Sequence, residues 1–216
     1  MQLQFNLSLY PEKELEYQNV LESFIPKKAL YYICSYLAEK NAVLKISKSR
    51  KTKYGDFRAE HKGKANTITI NHDLNSFAFL ITLVHEMAHL ECWINHKNKA
   101  KPHGIEWKNC FKQLMQPYFF NKIFPSDIMI ALTDYMNNPA ASSCSDLKLM
   151  RALKAYDNKP NVTYLEDVPE NSIFKLGASR IFQKGEKRRK LFKCKDLTNK
   201  KYYLVNPLSE VIIINN

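Results

Sequence analysis

No C-x-x-C pair occurs in this 216-residue sequence, and its five cysteines (Cys34, Cys92, Cys110, Cys144 and Cys194) are scattered and odd in number. Their pattern excludes a disulfide framework and a cysteine-rich zinc finger, and it fits a reducing compartment. The first eleven residues lack a basic n-region and an uninterrupted apolar core, so neither a signal peptide nor an anchor is read there. No apolar run approaches the roughly 20 residues that a bilayer span needs. A cytoplasmic protein with no membrane partner is expected. Acids are also scarce, 21 Asp and Glu against 33 Lys and Arg, for a formal net charge of +12. An excess of that size leaves room for an anionic partner.

What is present in quantity is apolar surface: 45% hydrophobic and 12% aromatic residues exclude a disordered chain. The length allows one well-buried core and a small second module. Oligomeric state is not readable from these features.

The most informative stretch is 77–103, which contains His85, Glu86, Met87, Ala88 and His89, an H-E-x-x-H pattern. On a helix, two histidines four apart share one face, so their imidazoles can converge on one metal ion. The glutamate between them can reach a water held there. Phe77, Leu80, Ile81, Val84 and Ala88 recur at three- and four-residue steps and predict that helix, with Asn75 or Ser76 as its cap. A pentapeptide this short also arises by chance. The apolar flank separates this one from a pair of surface histidines.

A catalytic zinc takes three protein ligands and keeps one position open. The third could be His96, His103, Glu91 or Glu106. The metzincin pattern is excluded, because Cys92 and Asn95 stand where its glycine and third histidine belong. His103 lies in a Pro-His-Gly turn ahead of a helix expected over 105–115, and such a turn can swing a ligand back. A glutamate on the following helix, which here means Glu106, is the other arrangement. His61 and His72 lie near turns and are read as ordinary surface histidines.

His85 to His89, then His103-Gly104 with Glu106-Trp107-Lys108, resembles the SprT-like metalloproteases. The likeness extends upstream to residues 50–55 and to Ile70-Asn71. The resemblance implies an α+β, zincin-like fold built on a small antiparallel three-stranded sheet and the H-E-x-x-H helix. It also implies one zinc per chain on His85, His89 and His103, with Glu86 as general base in peptide hydrolysis. Glu106 becomes a candidate for supporting a ligand, and Trp107 a packing residue under the turn. In that architecture an edge strand pairs with the substrate backbone, and residues 67–71 are the expected strand. Protein substrates are implied, and DNA, single-stranded or protein-bound, is a possible partner. A non-catalytic DNA-associated protein on the same scaffold is the alternative; an intact Glu86 speaks against it.

Along the chain, helices are expected at 12–22 and 26–40, strands at 43–47, 55–60 and 66–70, and a hairpin turn at Gly63. After the second ligand-bearing helix, 117–125 reads as an aromatic loop, 126–137 as a helix and 138–143 as a linker. These boundaries give a protease domain at 1–140 and a basic module at 141–216. In the module a helix at 146–156 precedes strands at 172–176, 180–183, 190–195, 201–205 and 210–214. Relatives with a C-terminal zinc ribbon need four cysteines there. Only Cys194 stands among these strands, so it is read as a core residue and a second metal site is doubtful.

Cations cluster twice. Lys45, Lys48, Arg50, Lys51, Lys53, Arg58, Lys62 and Lys64 crowd the hairpin region against only Asp56 and Glu60. Lys187, Arg188, Arg189 and Lys190 crowd the tail, with Phe182 and Phe192 nearby, a mixture suited to phosphate contact and base stacking.

Overall fold

The computed structural model describes residues 9–50, 52–140, 146–159 and 161–214. The expected linker beyond residue 140, Lys51, Cys144 and most of the N-terminal segment lie outside the described residues. Two compact units emerge, 1–157 and 158–216.

The first unit opens with α1 (Pro11–Leu21) and α2 (Leu30–Glu39), which pack together. Proline at the first helical position starts α1 without losing a hydrogen bond. Three strands follow: β1 (Val43–Ser47), β2 (Gly55–Arg58) and β3 (Thr67–Asn71). The sheet order is β1-β3-β2, with β1 parallel and β2 antiparallel to β3. This corrects the all-antiparallel expectation. The long 48–54 connection reverses β2, and a hairpin with Gly63 at φ +77° returns the chain as β3 in the middle. Since β3 is bonded on both sides, residues 67–71 cannot receive a further strand. The edges are β1 and β2.

Asn71 organises the 48–54 connection. Its side chain accepts from Arg50 Nε at 2.7 Å and donates to the Arg50 and Lys53 carbonyls at 3.2 and 3.0 Å. Because Asn71 is only 1% exposed, these bonds satisfy a side chain that would otherwise be costly to bury.

Helix α3 (Ser76–His96) is the centre of the unit. Asn75 caps it, accepting from Ala78 N at 2.9 Å, a contact worth ~1 kcal/mol. The periodicity predicts one apolar stripe; instead, every residue from Phe79 to Ala88 is buried. A helix apolar all round belongs inside a core rather than on its surface. By length and composition this same helix could cross a membrane, contrary to the expectation from the sequence, but most of its apolar window is covered by the unit's own core.

Helix α4 (Ile105–Phe120) packs on α3. It runs through Pro117, where a loop was expected. Tyr118 is 2% exposed with its ring edge-on to Tyr32, and the Pro117 carbonyl accepts from both the backbone and the side chain of Asn121. Packing and these bonds offset the hydrogen bond that proline removes.

Helix α5 (Ser126–Asn137) matches its expected bounds, and α6 (Leu147–Lys154) follows. The domain boundary moves from 140 to 157, because Leu149 and Leu153 of α6 enter the first unit's core. Tyr156 donates to Asp127 at 2.9 Å and meets Phe77 edge-on. Asn75 Nδ2 donates to the Leu153 carbonyl at 2.9 Å and to Asp157 at 2.6 Å.

The second unit is an antiparallel sheet of β4 (Thr163–Tyr164), β5 (Ile173–Leu176), β6 (Arg180–Gln183), β7 (Lys187–Arg188), β8 (Leu191–Asp196), β9 (Tyr202–Val205) and β10 (Glu210–Ile213). The strands β4 and β7, two residues each, are too short to show periodicity. Leu165, Phe174, Phe182, Cys194, Val205 and Val211 form its core. Cys194 is a buried core thiol, as expected.

Candidate metal centre

Helix α3 presents His85 and His89 one turn apart, and both meet His103 at the end of the 97–104 turn. His103 completes the set from a left-handed backbone position, φ 55°, just before α4. Histidine adopts that conformation only at a cost, which the following turn and helix hold in place. The Nε2 atoms converge: His103 lies 3.0 Å from His89 and 3.3 Å from His85.

Three imidazole nitrogens so close fit a metal better than each other. A shared proton satisfies one pair and leaves the third nitrogen facing a lone pair. Ligands at ~2.05 Å in a tetrahedral site stand ~3.3 Å apart, close to the separations here. All three histidines are held neutral, as ligands must be. Burial and then the neighbouring histidines push His85 down to about 3 and His89 to about 4, and burial lowers His103. Among the described residues this is the one group of three such side chains able to hold an ion.

The rings are fixed by packing. Trp107, fully buried, lies with its ring centroid 4.6, 5.3 and 4.7 Å from those of His85, His89 and His103, and it stacks on Phe111. It is the packing residue expected under the turn. His85 Nδ1 is buried without a protein acceptor, unlike most metal-bound histidines, so ring contacts carry the orientation there.

The other ligand candidates lie elsewhere. Glu91 accepts from the Tyr36 hydroxyl at 2.8 Å and pairs with Lys40. Glu106 sits in the first turn of α4 outside the cluster, with its carboxylate beside Gly104. Neither His96, His61 nor His72 joins the cluster.

Glu86 is 6% exposed, next to His85 on α3. Burial, then the Asp56 charge, raises its carboxyl to about 8, against the pull of Arg50, Lys53 and the Phe57 backbone N–H. Strand β2 presses on it so closely that a methyl group at Gly55 would lie 2.8 Å from Glu86 Oε1 and 2.9 Å from Thr82 Cγ2. Asp56 gathers three cations, Arg50, Lys53 at 3.2 Å and Arg58 at 3.1 Å. Burial opposes ionisation of Asp56, but hydrogen bonds from Arg50 and Lys53 outweigh it and lower its pKa. Three of the hairpin-region cations are therefore engaged in bracing β2. The one sequence signal for this brace is the run of opposite charges at 50–58.

Residues 27–128 match the SprT-like family. The first unit carries a SprT-like domain. No curated protein and no solved structure gives a match. The H-E-x-x-H helix, His103 and the 50–58 segment all fall within the matched SprT-like residues, whereas the second unit lies wholly outside them.

The tail patch is rearranged. Lys187, Arg188, Arg189 and Lys190 are exposed on β7 and the turn after it, with Arg188 paired to Glu186 at 2.9 Å. Phe182 is 1% exposed and stacked on Phe174, so it cannot take a base. Lys184 is 5% exposed and donates to the carbonyls of Val168 and Glu166, so it braces the fold.

Proposed function

We propose that the protein is a zinc-dependent metallopeptidase of zincin-like architecture that hydrolyses peptide bonds in DNA-associated proteins in the cytoplasm. The observation that carries this reading is the convergence of three histidine Nε2 atoms, two of them from the helix that also carries the buried Glu86 carboxyl. Imidazole ligands suit zinc, and a set of three leaves a coordination position open. His85, His89 and His103 would hold the ion. When bound, zinc supplies Lewis acidity, polarising a carbonyl and lowering the pKa of a water.

Glu86 is the proton acceptor, and later the donor to the leaving amine. Its value of about 8 belongs to the metal-free protein. An ion on the neighbouring His85 would favour the carboxylate form that a working base needs. Gly55 and Thr82 fix that carboxylate sterically. Strand β2 is a sheet edge passing beside Glu86, so it is the strand along which a substrate backbone can add in extended form. Lys187, Arg188, Arg189 and Lys190 would contact the phosphates of single-stranded or protein-bound DNA. Glu106 would act only through the turn that holds His103.

The test is cleavage of a basic DNA-binding protein by the zinc-loaded chain, with and without single-stranded DNA, against Glu86→Gln. The amide variant should keep its zinc and fold while losing roughly a hundred- to ten-thousand-fold in rate. Equal cleavage by the variant defeats this assignment. Zinc binding with no proteolysis by the wild type would favour a binding scaffold.

A further inference from the structure

Beside His89 the first unit carries a cavity of about 380 Å³ that the chemistry above does not use. Phe57, Cys92, Trp93, Ala100 and Pro102 form its walls, with the fully buried Trp107 beneath them. Two links tie it to the reaction centre. His89 is both a lining residue and a candidate ligand, and Phe57, on the edge strand β2, donates its backbone N–H to Glu86. A peptide bond lying between the metal and Glu86 would therefore place a flanking side chain at this opening.

The walls are apolar and the polar groups stand at the rim. Trp93 and Trp107 have their indole nitrogens buried, with no surface to offer an occupant, so what they present is ring carbon. Cys92 is a buried thiol that behaves as a small hydrophobe. Lys97, Asn98 and Lys101 are exposed. Lys97 meets Glu60 at 3.2 Å, and its ammonium lies 5.2 Å from the Trp93 ring centroid. No carboxylate lines the cavity. Phe57, Trp93 and Ala100 are half-buried and keep part of their surface in water, and covering such surface favours binding.

We infer that this cavity is a specificity subsite for a large apolar side chain, aliphatic or aromatic, at the residue flanking the scissile bond. The inference rests on the peptidase reading for the identity of the occupant. An acidic side chain would find solvated ammonium groups at the rim but no buried donor in the walls, so it gains little for its own desolvation. A basic side chain would meet two ammonium groups and no lining acid. Small side chains leave the walls wet. In a basic protein substrate the cuts would fall at apolar positions rather than at lysines and arginines.

The chain has two tryptophans, and both line this cavity. Tryptophan emission therefore reads occupancy without any need for turnover. Zinc-loaded Glu86→Gln protein is titrated with blocked tetra-alanine peptides carrying one Phe, Leu, Glu or Lys at either central position. At one of the two positions Phe and Leu should bind at least about tenfold tighter than the all-alanine peptide, the gain from burying one large apolar side chain. Glu should fall well short of both, and Lys should bind weakest. Ala100→Phe fills the cavity from its wall and should abolish the preference for Phe over alanine. If that variant fails to fold, by near-ultraviolet dichroism, Phe57→Ala should weaken the Phe peptide severalfold and leave the alanine peptide unchanged. An alanine peptide binding as tightly as Phe and Leu at both positions, a Glu or Lys peptide binding tightest, emission unmoved by every peptide, or a Phe preference that survives the wall variants overturns the subsite. Wild-type digestion separates the two readings. Cleavage without apolar preference removes the subsite and leaves the peptidase. Selective binding without any cleavage removes the peptidase and leaves an apolar-selective cavity.

Discussion

Gly55→Ala is the smallest change that reaches the proposed base without touching it. The added methyl would stand 2.8 Å from Glu86 Oε1 and 2.9 Å from both Glu86 Cγ and Thr82 Cγ2. Carbon atoms rest ~3.5–4.0 Å apart, so these neighbours must retreat by roughly 0.6–1 Å. Thr82 and Glu86 are buried on the central helix, so neither can swing into solvent. Overpacking of this kind costs ~1–3 kcal/mol. A carboxylate displaced by about 1 Å costs on the order of a hundredfold in rate. The three nearest atoms belong to Glu86 and Thr82 rather than to a histidine, so metal content should stay at one per chain. Urea unfolding followed by tryptophan emission reports this unit alone, since Trp93 and Trp107 both belong to it. The expected result is a lower unfolding midpoint, full metal content and hydrolysis reduced by ten- to a hundredfold. An unchanged midpoint with full activity would refute the close approach of β2 to Glu86.

His103→Ala should abolish tight zinc binding, whereas Glu106→Ala should affect it only modestly; elemental analysis decides, and the opposite pattern would make Glu106 the third ligand. For DNA, about three to five phosphate contacts give a slope of roughly −2 to −4 in log affinity against log salt. Replacing Lys187, Arg188, Arg189 and Lys190 with serine should flatten that slope in a titration of a labelled single strand. The same slope in the quadruple variant, or no binding at low salt, removes this patch.

Periodicity located elements well wherever packing followed local pattern. Val43–Ser47, Arg180–Gln183 and Ser126–Asn137 fall where alternation or the 3.6-residue repeat placed them. What the pattern could not carry was partnership. Nothing in the 43–71 sequence says that β3 returns to the middle of its sheet, because strand order is set by how a connection such as 48–54 folds on Asn71. Pro117 misled for a similar reason, since a local breaker is overridden by the burial of Tyr118. Phe182 reads as available beside a run of cations, yet alternation along β6 turns it inward. Among the ligands, the spacing of His85 and His89 was legible from helical geometry. His103 was not separable from His96, Glu91 and Glu106 on spacing alone. A left-handed residue in a turn has no periodic signature, and only the resemblance to SprT-like proteins singled it out.

The shared use of Asn75 gives assembly of the centre a direction in time. Its oxygen caps the helix that carries the H-E-x-x-H residues, while its nitrogen bonds Leu153 and Asp157, some eighty positions later. During vectorial synthesis at ~5–20 residues per second, the chain between His103 and Asp157 takes roughly 3–11 seconds to emerge. Throughout that interval all three histidines exist, but α6 has yet to seat Leu149 and Leu153 against the core. The nascent chain can thus meet metal before the helix presenting two of the three ligands is secured at its N-terminal end.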